Sequence, residues 1–285
     1  MDFEYAENNI ILTNTTDFDL EQTLDCGQCF RWNKIDDFTF EGIVEKQVQK
    51  ISQRDGKTIF YNCTPEMFQS FWCDYFDLNR DYGKVKAILS ADERLAKAAE
   101  FAPGIRILRQ RPWETLCSFI ISQNNNIKRI KGIVARLCEQ YGERLDDGHY
   151  AFPSAQRLAV LAPDDLAPLR CGFRARYIID AAQKVAGGEI VLSELYSIPI
   201  DDAVKQLCKI TGVGIKVAQC TLLYGFSRME CFPVDVWIRR VMEMLFPDGL
   251  PAFASEYAGI AQQYLFHYAR VCPDAFAAAN ETKTC

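Results

Sequence analysis

Histidine is nearly absent from this sequence: His149 and His267 are the only two among 285 residues, and they lie far apart. A metal site draws on clustered His, Cys and carboxylate ligands, so this scarcity argues against a bound ion. No apolar run approaches the length needed to span a bilayer. The opening Met-Asp-Phe-Glu-Tyr has neither the basic stretch nor the apolar core of a secretory signal. Internal repeats and low-complexity stretches are missing too. Positive charge is in deficit, with 32 Lys and Arg against 38 Asp and Glu and a formal net charge of −6. A polyanionic partner therefore gains no global attraction, and only a local patch could draw one in. Cysteine is plentiful, with 12 residues scattered through ordinary core patterns. Without a secretory signal they read as reduced thiols rather than a disulfide framework. The expectation is an intracellular, cytoplasmic protein with no cofactor, no metal and no membrane contact.

The chain changes character near residue 105. From about Asn9 to Asn62 it shows short alternating apolar runs, Phe38–Ile43, Val48–Ser52 and Lys57–Tyr61, which read as antiparallel strands. Asp55-Gly56 is a strong hairpin turn between the last two, and Asp36-Asp37 a weaker one before the first. After Thr64-Pro65-Glu66, an N-cap followed by proline at the first helical position, the period becomes helical and stays so. Helices are expected at 65–76, 82–101, 112–123, 126–141, 154–160, 174–187, 200–209, 214–226, 235–246 and 255–270. The joint Ala102-Pro103-Gly104 is the best boundary. The expected fold class is α+β, with a small N-terminal antiparallel β-sheet domain and its flanking helices over 1–105 and an all-α domain over 106–285.

The most informative stretch is Leu207–Ala218, which sets Gly212-Val213-Gly214 between two helical patterns and delivers Lys216 onto the first turn of the second. Amides unencumbered by side chains at a helix N-terminus favour a phosphate oxygen. The same dipole lowers the cost of deprotonating a lysine, whose ordinary pKa of about 10.4 must fall before the amine can act as a nucleophile. For an arbitrary Gly-x-Gly-x-Lys, a helix corner with a solvated lysine is the commoner reading. The following Phe232-Pro233-Val234-Asp235-Val236-Trp237 places Asp235 just before another helix, where it reads first as an N-cap. A cap also fixes a carboxylate on a rigid turn, and a fixed anion beside a sugar C1′ supports cationic character as a glycosidic bond breaks. Basic clusters at Lys128/Arg129/Lys131, Arg170/Arg174/Arg176 and Arg239/Arg240 could supply a local patch, although such clusters commonly form solvated helix faces.

Hairpin, lysine and Pro-Val-Asp together resemble the helix-hairpin-helix superfamily of DNA glycosylases, in the branch that also cleaves the strand. Asp25-Cys26-Gly27-Gln28-Cys29-Phe30-Arg31-Trp32, Ser118–Ile130 with its Asn124-Asn125-Asn126, and Cys171–Tyr177 narrow the resemblance to the 8-oxoguanine DNA glycosylase/AP lyase family. It runs from about residue 18 to 270. What the resemblance implies is double-stranded DNA containing an oxidised purine as partner, a monomeric enzyme, and a division of labour among residues. Lys216 and Asp235 would be catalytic. The Gly27 carbonyl would accept the proton that oxidation at C8 moves onto N7, Cys220 and Phe266 would stack on the two faces of the flipped base, and Gln262 would bond its pairing edge. Asn124 would fill the vacated duplex, Arg129 and Arg174 would donate to the orphaned cytosine, Phe173 would wedge beside the gap, and Gly212 and Gly214 would hold the backbone. Trp237 stands where relatives commonly place a histidine near a phosphate, so that contact is lost or replaced by indole N–H donation.

Each residue also has a plain reading. Cys220 is a small buried hydrophobe, Phe266 extends the stripe of Ala258, Ala261, Leu265 and Tyr268, and Phe173 is a core aromatic. Cys26 and Cys29 formally make a Cys-x-x-Cys, but no second pair accompanies them, and the four-cysteine loop of the pyrimidine-repair branch is missing. Two rival functions remain open. An alkylated-base (3-methyladenine type) glycosylase shares the layout but needs no nucleophilic lysine, and a non-catalytic DNA-binding module would use Lys216 only as a phosphate contact, leaving Asp235 an unhelpful anion.

Overall fold

The computed structural model describes residues 2–145 and 148–273. Its strands are β1 (Phe3–Ala6), β2 (Asn9–Leu12), β3 (Trp32–Lys34), β4 (Thr39–Val44), β5 (Gln47–Arg54) and β6 (Lys57–Phe60). They form one antiparallel sheet in the order β1-β2-β6-β5-β4-β3. The alternating runs fall in β4, β5 and β6, with Thr39 opposite Ser52 and Ile51 opposite Phe60. Asp55 and Gly56 both take positive φ, 53° and 73°, as a tight primed hairpin turn requires. β1 and β3 were not anticipated; β3 has 3 residues, too few for alternation to register.

Side chains alternate along a strand, so Ile10, Leu12, Phe40, Ile51 and Phe60 share one face, buried against Phe68, Trp72 and Phe76. Those aromatics come from α2 (Pro65–Met67), a π-helical turn Phe68–Trp72 and α3 (Cys73–Tyr75), which follow α1 (Leu20–Leu24) in the chain. Thr64 caps this helical stretch, its hydroxyl accepting the Met67 amide at 3.2 Å. The remaining helices are α4 (Tyr82–Leu89), α5 (Glu93–Phe101), α6 (Pro112–Ser122), α7 (Ile127–Tyr141), α8 (Ala155–Ala159), α9 (Arg174–Ala186), α10 (Ile200–Leu207), α11 (Ile215–Phe226), α12 (Val236–Leu245) and α13 (Ala258–Val271).

Two expectations are corrected here. The single helix over 82–101 is two, because the Asp92 carboxylate accepts the amides of Arg94 and Leu95 and starts a new helix after Ser90-Ala91. Such a local side-chain bond competes with the helical ladder. The last helix begins at Ala258 rather than 255, since Ala252–Tyr257 winds as a 3₁₀ turn behind Pro251.

There are two cores. Tyr82, Val85, Leu89 and Leu95 pack with the larger, helical one, although they precede residue 105 in the chain. The buried amide of Gln28 links the cores. It donates to the carbonyls of Thr23 at 2.8 Å and Arg106 at 2.7 Å and accepts the Leu108 amide at 2.9 Å. The loop after α1 is thereby fixed against the helical body. No helix among the described residues is long and apolar enough to cross a membrane.

Candidate active site

The hairpin joins α10 to α11, and its tip is fastened to α9. The Asp180 carboxylate accepts the Thr211 amide at 2.7 Å, while Lys184 bonds both Asp180 and the Lys209 carbonyl. Burial alone would raise the Asp180 pKa; the Thr211 amide and Lys184 outweigh it and hold the carboxyl below its ordinary range. Gly212 has φ +78°, and a Cβ there would stand 2.4 Å from the Tyr177 ring, so both the turn and the close approach require glycine. Gly214 precedes α11, whose first-turn amides have no side-chain cap. Gly212→Ala is expected to cost about 1–3 kcal/mol through strain and displacement of Tyr177, read as a lower Tm together with weakened duplex binding.

Lys216 sits on the first turn of α11, half-buried, with Nζ 5.3 Å from the centre of the Phe119 ring. Phe119 is itself held, stacked on Tyr224 at 5.3 Å and edge-on to Phe30 at 5.9 Å. Residues four apart share a helix face, so Cys220 lies beneath Lys216; burial pushes its thiol pKa up, while the charge of Lys216 and a hydrogen bond from it pull the other way. Asp235 caps α12 as its sequence position suggests, Oδ1 accepting the amides of Trp237 at 3.0 Å and Ile238 at 2.9 Å. One carboxylate oxygen is thus occupied by the helix, and Oδ2 accepts no hydrogen bond there.

The loop after α1 supplies another wall. The carbonyls around Gly27 are taken: Asp25 by Arg270 at 2.9 Å, Cys26 by Gln263 at 3.3 Å, and Gln28 by Gln110 at 2.7 Å. Among the described residues the Gly27 carbonyl accepts no hydrogen bond. Gly27 has φ +91°, and a Cβ on it would lie 3.5 Å from the Phe266 ring and 3.4 Å from Arg270 and Ile127. Those contacts are ordinary ones, so the left-handed backbone rather than crowding calls for glycine here.

These elements enclose a cavity of about 1310 Å³. Gly27, Lys216, Asp235 and Phe266 all line it, as do Asn124, Phe173, Gly214 and Trp237 around its mouth. Gln262 and Cys220 do not reach the lining. Both are 4% exposed, and the Gln262 Oε1 is buried without a partner. Asn124 is exposed with φ +50°, a left-handed conformation that asparagine tolerates better than most residues. Phe173 is 47% exposed, so the plain reading of it as a core aromatic does not hold.

Arg129 and Arg174 differ from the sequence picture of two free guanidinium forks. Arg129 is exposed, but Arg174 is buried and donates to the carbonyls of Gln123 and Asn124, the latter at 3.0 Å. Burial, then the neighbouring Arg129, lowers the Arg174 pKa. In this fold Arg174 buttresses the loop that carries Asn124. Sequence reading missed Phe119 and Arg270 as cavity residues. Phe119 hides in an uninterrupted apolar run, whereas Arg270, four residues beyond Phe266, was accessible from helical spacing. Among the described residues no group of three or more His, Cys, Asp or Glu side chains could hold a metal ion.

Comparison with known proteins places these features in context. Residues 10–116 match the family described as 8-oxoguanine DNA glycosylase, N-terminal domain, and residues 117–249 match the HhH-GPD superfamily base excision DNA repair proteins. An N-glycosylase/DNA lyase of Arabidopsis thaliana is 30% identical over 282 residues, covering 88% of this chain and 77% of the relative. The solved structure of MBOgg1 with a low-affinity DNA ligand is 41% identical with a TM-score of 0.88, covering 95% of this chain and 99% of that one. The Clostridium acetobutylicum 8-oxoguanine glycosylase/lyase, solved with double-stranded DNA containing cytosine opposite 8-oxoG, is 35% identical with a TM-score of 0.88, covering 96% and 99%.

Proposed function

The chain belongs to the 8-oxoguanine DNA glycosylase family of the helix-hairpin-helix base-excision superfamily, and from that membership we infer that it is a bifunctional DNA glycosylase and AP lyase that excises 8-oxoguanine from double-stranded DNA. The observation that carries the residue assignment is that Lys216, Asp235, Gly27 and Phe266, drawn from four separate elements, line one cavity.

In the mechanism proposed here, the damaged nucleotide leaves the stack at a cost of a few kcal/mol and enters the cavity, where its base meets the Gly27 carbonyl and the Phe266 ring. Guanine presents a lone pair at N7, which the Gly27 carbonyl repels; 8-oxoguanine presents N–H, which it accepts. A single hydrogen bond contributes only about 1 kcal/mol net, but a buried carbonyl facing a lone pair adds an unmet group to the repulsion. Lys216, once its ammonium proton has passed to solvent, attacks C1′ as the C1′–N bond breaks and its electron pair leaves with the base. Asp235 lowers the energy of the positive charge that develops on the sugar. Loss of a proton from nitrogen and opening of the sugar ring give a Schiff base. Loss of a C2′ proton then expels the 3′ phosphate, cleaving the strand.

Arg129 and Arg174 would read the orphaned cytosine, whose pairing edge offers acceptors to guanidinium donors. Arg174 then exchanges the Gln123 and Asn124 carbonyls for the base, a change that goes with Asn124 moving into the duplex. Trp237 offers an indole N–H to the phosphate at the start of α12. The reading is of a monomer acting on nucleoid DNA. Duplexes carrying 8-oxoguanine opposite each of the four bases test it, with 3-methyladenine duplex as control. Excision and nicking of the first set, strongest opposite cytosine, is the expected outcome. Release of 3-methyladenine without nicking would favour the alkylated-base alternative, and release of neither would leave a binding module.

A further inference from the structure

Arg270 touches both groups read here as holding the expelled base, the loop of Gly27 and the Phe266 ring. Its Nη2 donates to the Asp25 carbonyl at 2.9 Å, and its guanidinium stands 5.7 Å from the centre of the Phe266 ring, one turn earlier on α13. Its Nη1 comes within 3.4 Å of the point a Cβ on Gly27 would occupy. Among the described residues no carboxylate pairs with it, so no ion pair accounts for a cation in the cavity lining. A planar fork with several fixed donors can bond a carbonyl and lie near a ring at once, whereas an ammonium point charge cannot.

We propose that Arg270 is a specificity-determining positioning residue, which sets where the Gly27 carbonyl stands relative to the Phe266 ring by bridging the Asp25 carbonyl and that ring. The other loop carbonyls are anchored independently, Cys26 by Gln263 and Gln28 by Gln110 at 2.7 Å. Arg270 is the tether that also contacts the stacking ring. The proposal rests on the reading of Gly27 and Phe266 as base-holding walls. The sugar chemistry depends on other elements, α11 and the cap of α12, so cleavage at a preformed abasic site, which brings no base, does not require the tether.

Arg270→Met keeps an unbranched stem and removes the fork. Single-turnover excision of 8-oxoguanine should fall about 10²-fold, the scale of a misplacement near 1 Å, while borohydride trapping and strand cleavage on a preformed abasic site stay within about twofold of wild type. Unchanged excision would overturn the proposal. So would a parallel loss of abasic-site cleavage, because that marks a merely structural role. Failure of the wild-type protein to trap on abasic DNA would instead overturn the Schiff-base reading underneath it.

Discussion

Lys216→Gln is expected to remove base release and strand cleavage together, each by on the order of 10³-fold or more, because the proposed covalent step loses its nucleophile outright. The variant should still bind a duplex containing 8-oxoguanine, since the walls around Gly27 and Phe266 are built from other elements. The fold should survive as well. Lys216 is half-buried on the first turn of α11, and the helix is anchored by the buried Val217, Ala218 and Leu222. A glutamine keeps a polar chain over Phe119, so the stability change should stay within about 1 kcal/mol. Borohydride should trap no adduct with the variant. An adduct of wild-type yield would move the nucleophile to another amine.

Asp235 is observed as a cap and proposed as a catalytic anion, two roles that substitution can separate. Asp235→Asn keeps an oxygen able to accept the Trp237 and Ile238 amides, so the cap of α12 persists and Tm should hardly move. The charge proposed to face the sugar is gone, and excision should drop by about 10²–10³-fold, the usual scale for removing one preorganised electrostatic contact. Asp235→Ala loses the cap too and should cost a further ~1 kcal/mol of stability. Paired activity and thermal-unfolding measurements decide between the roles. If Asn retains near-wild activity while Ala loses activity and stability in proportion, Asp235 is a cap alone.

The parts of this molecule that were legible in the sequence are those with a local chemical signature. Thr64-Pro65, Asp55-Gly56 and Asp235 each announce a turn or cap through side-chain chemistry within a few residues, and each lies where that chemistry requires. The turn at Gly212 and the place of Lys216 on the first turn of α11 were legible for the same reason. The break at Asp92 was equally local, but helical apolar spacing on both sides concealed it. What stayed illegible depends on contacts between distant segments. Nothing around Gly27 reveals that Asp25, Cys26 and Gln28 have their carbonyls taken by Arg270, Gln263 and Gln110 while its own is left open. Likewise Arg174 looks like a free cation in sequence, and only the fold brings the Gln123 and Asn124 carbonyls onto it.

The most direct test is to trap the wild-type protein on 8-oxoguanine duplex with borohydride, digest the adduct and locate the sugar remnant by mass spectrometry. The account predicts a deoxyribose-derived mass on the peptide containing Lys216 and on no other. A remnant on any other amine, or no adduct while the base is released, would contradict it.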